Sequence, residues 1–218
     1  MAQVFGPKAN TIAKISLIGA VSTVALLLIA LVVYSRSPYP SFVQKSPEQP
    51  VPFSHVVHVG ALQLDCRYCH AGVEVSAAAS VPATQTCMTC HSQIKTDSAA
   101  LAPVRESWET GEPIAWNRVH DLGDFAYFNH SIHVTKGVGC STCHGQVNEM
   151  AQVRQVEPLT MGWCLDCHRA PEQYIRPADQ VFNMSWQPPA NQIEQGKALI
   201  QEYNIQVSRL TDCSICHR

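Results

Sequence analysis

The chain has 218 residues, with 15 Lys+Arg against 17 Asp+Glu, a formal net charge of −2 at pH 7 and a sequence pI of about 6.5. A balance this even offers no basic field for a polyanion, so nucleic acid is excluded as a partner. Ten cysteines and ten histidines make the chemistry of these two residue types the first question.

In chain order, residues 1–14 form a short leader containing Lys8 and Lys14. Residues 15–34, ISLIGAVSTVALLLIALVVY, run for twenty positions without a charge, close to the roughly 20 that a membrane-spanning helix needs. A cleaved signal has an apolar core of roughly 7–15 residues and a small-residue cleavage site. This run is longer, and YSRSPYP after it contains no A-x-A, so the spacing predicts an uncleaved single-pass anchor. Lys8 and Lys14 favour a cytoplasmic N-terminus, with Arg36 opposing them. Residues 35–52 contain Pro38, Pro40, Pro47, Pro50 and Pro52, a composition that stays extended and predicts a stalk.

Residues 53–218 form the remaining domain. The pattern F-x-H-x-x-H-V occurs twice, from Phe53 (FSHVVHV) and from Phe128 (FNHSIHV). The first copy is followed by CRYCH and CMTCH, the second by CSTCH, CLDCH and CSICH, which divides the domain into modules 53–112 and 113–218. A helix is expected over residues 191–203, with Asn191 and Glu194 spaced like a capping box and Ile193, Lys197, Leu199 and Ile200 as its stripe. GVG at 137–139 and QPPA at 187–190 predict loops. Trp108, Trp116, Trp163 and Trp186 are expected in the core.

The ten cysteines fall without remainder into the five C-x-x-C-H units: Cys66 and Cys69, Cys87 and Cys90, Cys140 and Cys143, Cys164 and Cys167, Cys213 and Cys216. C-x-x-C-H is the attachment signature of c-type haem: both thiols reach the haem edge from one turn, and the next residue aims its imidazole at the iron. A zinc ribbon takes two Cys pairs per metal and fits an odd number of pairs poorly. A thioredoxin-like site is one pair beside a βαβ pattern, which is missing here. The chain is therefore expected to carry five covalently bound haem c groups, with His70, His91, His144, His168 and His217 as proximal ligands. The fold expected is a multihaem cytochrome c, with short α-helices and loops wrapped around the haems, little or no sheet, and one N-terminal transmembrane helix.

Five histidines remain: His55, His58, His120, His130 and His133. They are expected as sixth ligands, closing the irons for outer-sphere electron transfer. His120, in NRVHDLGD, stands outside the paired pattern, and Met184 or Met161 is the alternative to it. All five motifs end in histidine; the lysine that marks ammonia-forming nitrite reductases is missing, so no catalytic residue is assigned. A self-sufficient quinol dehydrogenase would need a proton acceptor near a haem, for which Glu48 and Asp65 are nominated, although solvated surface carboxylates are the better reading. Covalent haem attachment takes place outside the cytoplasmic membrane, so the domain is expected on the extracytoplasmic, periplasmic face.

Over residues 53–91 and 128–217 these motifs resemble the class III multihaem cytochromes of the cytochrome c3 and c7 group, in which such histidines are sixth ligands. With the single span, the proline stalk, VPFSHVVH, DCRYCHAGVEVSA, TQTCMTCHSQI, NRVHDLGDFAYFNHSIHV, MGWCLDCHR and TDCSICHR, nearly the whole chain resembles the membrane-anchored pentahaem subunits of alternative complex III, a bacterial quinol oxidoreductase. That resemblance implies an electron relay whose partners are iron–sulfur and polytopic membrane subunits and a monohaem cytochrome c, with membrane lipid around the anchor.

Overall fold

The computed structural model describes residues 5–37, 39–41 and 43–217. Residues 1–4 of the expected leader and Pro38 of the expected stalk lie outside the described residues, as do Phe42 and Arg218. By its internal contacts the chain forms two units, divided before Val43.

In the first unit the apolar run extends into one helix, α1 (Ala9–Arg36), of 28 residues. At about 1.5 Å per residue it is longer than the roughly 30 Å hydrocarbon layer. Its mean hydropathy of 2.7 and its exposure on every face make it long and apolar enough to cross a membrane.

The second unit is built of short helices joined by loops. Each C-x-x-C-H forms a helical turn, in α2 (Cys66–Cys69), α3 (Thr84–His91), α6 (Cys140–His144), α7 (Met161–Arg169) and α9 (Cys213–Cys216). Between them lie α4 (Ala102–Thr110), α5 (His130–Thr135) and α8 (Gln192–Glu202). Polar side chains start several of these elements: the Arg67 amide donates to the Asp65 carboxylate, the Ser131 amide to the Asn129 side chain and the Trp163 amide to the Thr160 hydroxyl. Among the described residues the only β pairing is an isolated antiparallel bridge between Val138 and Ile175. The helix-and-loop architecture without sheet is as expected.

Side chains alone make a small core. Among the described residues the buried apolar ones are Val51, Val73, Val104, Met150, Ile175, Val181, Met184 and Leu199. The tryptophans are not among them. Trp108 is 51% exposed and the other three are partly covered, so their expected core burial is not observed.

From Val43 the proline-rich segment lies on the domain. The Gln44 amide donates to the Gln155 carbonyl (2.7 Å), Ser46 Oγ to the Val153 carbonyl (2.7 Å) and Gln152 Nε2 to the Pro47 carbonyl (2.6 Å). Gln49 Nε2 donates to the Asn117 carbonyl (2.8 Å), and the Asn117 amide donates back to Gln49 Oε1 (3.0 Å). Extended backbone cannot pair within itself, and here neighbouring loops satisfy the Gln44 amide and the Pro47 carbonyl.

α8 departs from its expected details. Asn191 makes no side-chain cap, so the capping box does not form. The buried face is Gln192, Gly196 and Leu199, whereas Ile193 is 45% exposed. The reason is the close approach of α8 to the turn at residues 171–173. Gln192 Nε2 donates to the carbonyls of Glu172 and Ile175 (2.9 Å each), and a Cβ on Gly196 would lie 2.6 Å from Glu172 Cα. Gly196→Ala is therefore expected to destabilise the domain by roughly 1–3 kcal/mol through overpacking, read as a lower denaturant midpoint. Gly162→Ala, whose Cβ would meet nothing within 4 Å, should leave the midpoint unchanged or slightly higher.

Candidate haem-binding site

The two F-x-H-x-x-H segments adopt one geometry. Phe53 stacks on His58, with ring centroids 4.3 Å apart and planes at 24°, and meets His55 edge-on at 4.8 Å and 84°. Phe128 stacks on His133 at 4.5 Å and 23° and meets His130 edge-on at 4.7 Å and 90°. The phenylalanine thus sets two imidazoles at right angles, a role the sequence signals by repeating the residue but does not explain. The fifth position after each Phe is also used alike: His58 Nδ1–H donates to the Ser54 carbonyl (2.8 Å) and His133 Nδ1–H to the Asn129 carbonyl (2.7 Å).

A ring nitrogen held against a carbonyl oxygen must carry the proton, which leaves Nε2 as a bare lone pair. The same anchoring fixes His70 on Ser80 (2.7 Å), His91 on Ile94 (3.0 Å), His130 on Ala77 (2.8 Å), His168 on Leu210 (2.8 Å) and His217 on Phe125 (2.9 Å). This is the arrangement in which imidazole binds a metal through Nε2 with its other nitrogen oriented by the protein.

The structure also brings the histidines together across defined gaps. His58 and His91 have ring centroids 6.2 Å apart, His130 and His144 6.4 Å with planes at 8°, and His133 and His168 6.2 Å with planes at 26°. Two metal–nitrogen bonds of roughly 2 Å each, plus about 1 Å from each nitrogen to its ring centre, sum to about 6 Å. Both F-x-H-x-x-H segments follow one rule in these pairs, the second histidine facing the second downstream motif. His55 lies by His70 and His58, and burial, then these two neighbours, lowers its pKa to about 4. His55 Nδ1 is buried without a hydrogen-bond partner. Among the described residues the ring packed on His120 is that of His144, 4.3 Å away at 79° and directly beside it rather than across such a gap. The only ring packed on His217 among the described residues is Phe125, at 6.0 Å.

The ten cysteines are all free, and neighbouring motifs bring their thiols side by side. Cys140 and Cys66 share a hydrogen bond that holds Cys66 below the usual thiol range and, with burial, pushes Cys140 above it. Burial and the neighbouring Cys87 raise Cys69; burial with Cys167 and Cys164 pushes Cys143 up to about 12; burial and Cys216 raise Cys164. The turns therefore adjoin in the order α3, α2, α6, α7, α9. Among the described residues no three His, Cys, Asp or Glu side chains converge on a common metal-ion site, as a zinc ribbon would require. Paired thiols followed by an imidazole with a free Nε2, around a small side-chain core, do fit haem.

Sequence reading missed Arg176. It is 3% exposed and has no carboxylate partner among the described residues; its Nη2 donates to Ser141 Oγ (3.2 Å) and Thr142 Oγ1 (3.1 Å), and its guanidinium lies 4.2 Å from the Trp186 ring centroid. Arg176 thereby holds the two residues between Cys140 and Cys143. Gly137 and Gly139 make room for it: a Cβ on Gly139 would overlap the guanidinium, and one on Gly137, at φ +79°, would press on the Arg176 carbonyl. Met184 is 9% exposed and Met161 65% exposed. Asp65 is spent on Arg67, accepting from its Nε (2.9 Å) and Nη2 (2.8 Å), which holds its carboxyl below the usual range. Arg176→Lys keeps the charge but loses the planar fork and stack. It is expected to cost roughly 1–3 kcal/mol in denaturant unfolding, whereas exposed Arg67→Lys should cost less than about 1 kcal/mol.

A profile of the family described as cytochrome c7 and related cytochrome c matches residues 51–106 and 126–218, which include all five C-x-x-C-H motifs and both F-x-H-x-x-H segments. The chain is 30% identical over 118 residues to the menaquinone reductase, multiheme cytochrome c subunit, of Nitratidesulfovibrio vulgaris (strain Hildenborough), covering 54% of this chain and 55% of that protein. The chain thus spans about half the length of the curated relative it matches. With its motifs, its sheetless helix-and-loop fold and this match over most of its length, the chain belongs to the cytochrome c7 and related cytochrome c family, multihaem cytochromes that bind haem c covalently.

Proposed function

We propose that the chain is the pentahaem subunit, of ActA type, of an alternative complex III, relaying electrons from quinol oxidation elsewhere in the complex to a downstream monohaem cytochrome, oxidase or soluble acceptor. The observation that carries this reading is the set of imidazoles facing one another across 6.2–6.4 Å, His58 with His91, His130 with His144 and His133 with His168, beside the C-x-x-C-H turns. Haem c held there supplies one-electron, outer-sphere redox chemistry. The ten cysteines form the thioethers, and His70, His91, His144, His168 and His217 are the proximal ligands. The ring separations support His58 as sixth ligand opposite His91, His130 opposite His144 and His133 opposite His168, and the repeat extends the rule to His55 opposite His70.

Residues 1–14 are the cytoplasmic leader, residues 15–34 cross the cytoplasmic membrane, and residues 53–218 face the periplasm. Quinone-linked electron transfer is supported by the relative from Nitratidesulfovibrio vulgaris, which is named as a menaquinone reductase subunit. The partners are iron–sulfur and polytopic membrane subunits and a monohaem cytochrome c. A relay needs no proton acceptor of its own, and the commitment of Asp65 to Arg67 agrees with that.

Two measurements test this. Purified from native membranes in mild detergent, the chain is expected to co-purify with iron–sulfur and polytopic subunits, and quinol should reduce its haems only in their presence. Isolation as a small species whose haems quinol reduces directly would make it a self-sufficient quinol dehydrogenase instead. His133→Met should convert one bis-imidazole haem to His/Met ligation and raise its midpoint potential; an unchanged set of ligation signals would refute the His133–His168 pair.

A further inference from the structure

His120 belongs to neither F-x-H-x-x-H segment and lies in the stretch between the two parts of the family match, 51–106 and 126–218. Its Nε2 is 3.3 Å from His144 Nδ1. The same His144 ring faces His130 across 6.4 Å with planes at 8°. On the haem-binding reading of the preceding subsection, His144 bonds iron through Nε2, so its neutral ring carries the proton on Nδ1. That N–H points at His120 Nε2, which must accept it; the proton of His120 then sits on its own Nδ1. Both nitrogens of His120 are thereby engaged in ways that leave no lone pair for a metal.

The ten histidines can then be assigned. His58, His130 and His133 face His91, His144 and His168, the repeat assigns His55 to His70 by the same rule, and among the described residues the only ring on His217 is Phe125. We propose that His120 is a positioning residue for His144, not an iron ligand, and that the iron carried by His217 has no histidine of this chain as its sixth ligand. His144 thus differs from the seven rings whose Nδ1–H rests on a backbone carbonyl. Its acceptor is a side chain, so the donor strength of this one ligand can be altered by substitution without moving the main chain. The α9 turn, at one end of the thiol series, carries the iron whose ligation differs from the others.

The test uses the full chain in its native detergent-solubilised complex. Mass spectrometry first counts the covalent haems; a count other than five refutes the pentahaem reading itself, independently of His120. Near-infrared magnetic circular dichroism with EPR then counts bis-imidazole ferric haems in the unaltered protein. Four of the five are expected, and five would overturn the proposal. His120→Leu should keep the haem count and the bis-imidazole count while one midpoint potential moves upward, because an unpaired Nδ1–H makes His144 a weaker donor. His120→Gln, whose side-chain carbonyl accepts a hydrogen bond, should return that potential towards the original value. Loss of a bis-imidazole signal in His120→Leu, or no movement of any potential, would overturn the assignment.

Discussion

The hydrogen bond from an imidazole Nδ1–H to a backbone carbonyl is the constraint on which the rest of the domain depends. It selects one tautomer, fixes the ring plane and leaves Nε2 as the free donor. Four of the seven carbonyls lie within ten residues of their ring, and three come from distant parts of the chain. His130 rests on Ala77, 53 residues away, His168 on Leu210, 42 away, and His217 on Phe125, 92 away. The loops carrying Ala77, Leu210 and Phe125 are thus held in place by delivering a carbonyl to a ring. The His130–Ala77 bond, with the amides of His130 and Ser131 donating to Ala77 and Ser76, also joins the two repeat modules.

Closeness of backbones follows from the same economy of side chains. Gly60 approaches the Asn148 carbonyl, Gly139 admits the Arg176 guanidinium, and Gly196 lies on the backbone of Glu172. Fully buried apolar side chains are few among the described residues, Ile175 and Val181 being the most enclosed with Val104. The remaining interior is framed by thiols and imidazoles, and neighbouring turns set their thiols side by side. So small a side-chain core is the construction of folds whose order comes with the group they bind.

Much of the site was legible in the sequence, because covalent attachment demands particular residues at particular spacing. The five C-x-x-C-H turns, the absence of sheet and the apolar helix followed from local pattern alone. Details that depend on distant neighbours were less legible. Asn191 and Glu194 have the spacing of a capping box, yet the approach of Glu172 turned α8 onto Gln192, Gly196 and Leu199 instead. Arg176 carries no local signal at all; its role exists only because GVG and CSTCH fold back against it.

What the sequence by itself determined is chemical inventory: which cysteines pair, which histidine follows them, where an apolar helix runs, and that one module is used twice. These are set by covalent spacing and by periods of a few residues, which need no partner to be read. Which imidazole faces which, the order in which the turns adjoin, and the contact of His120 with His144 were decided by tertiary structure. A ring finds its counterpart across about 6 Å only after loops tens of residues apart have been joined, and no local period records that closure.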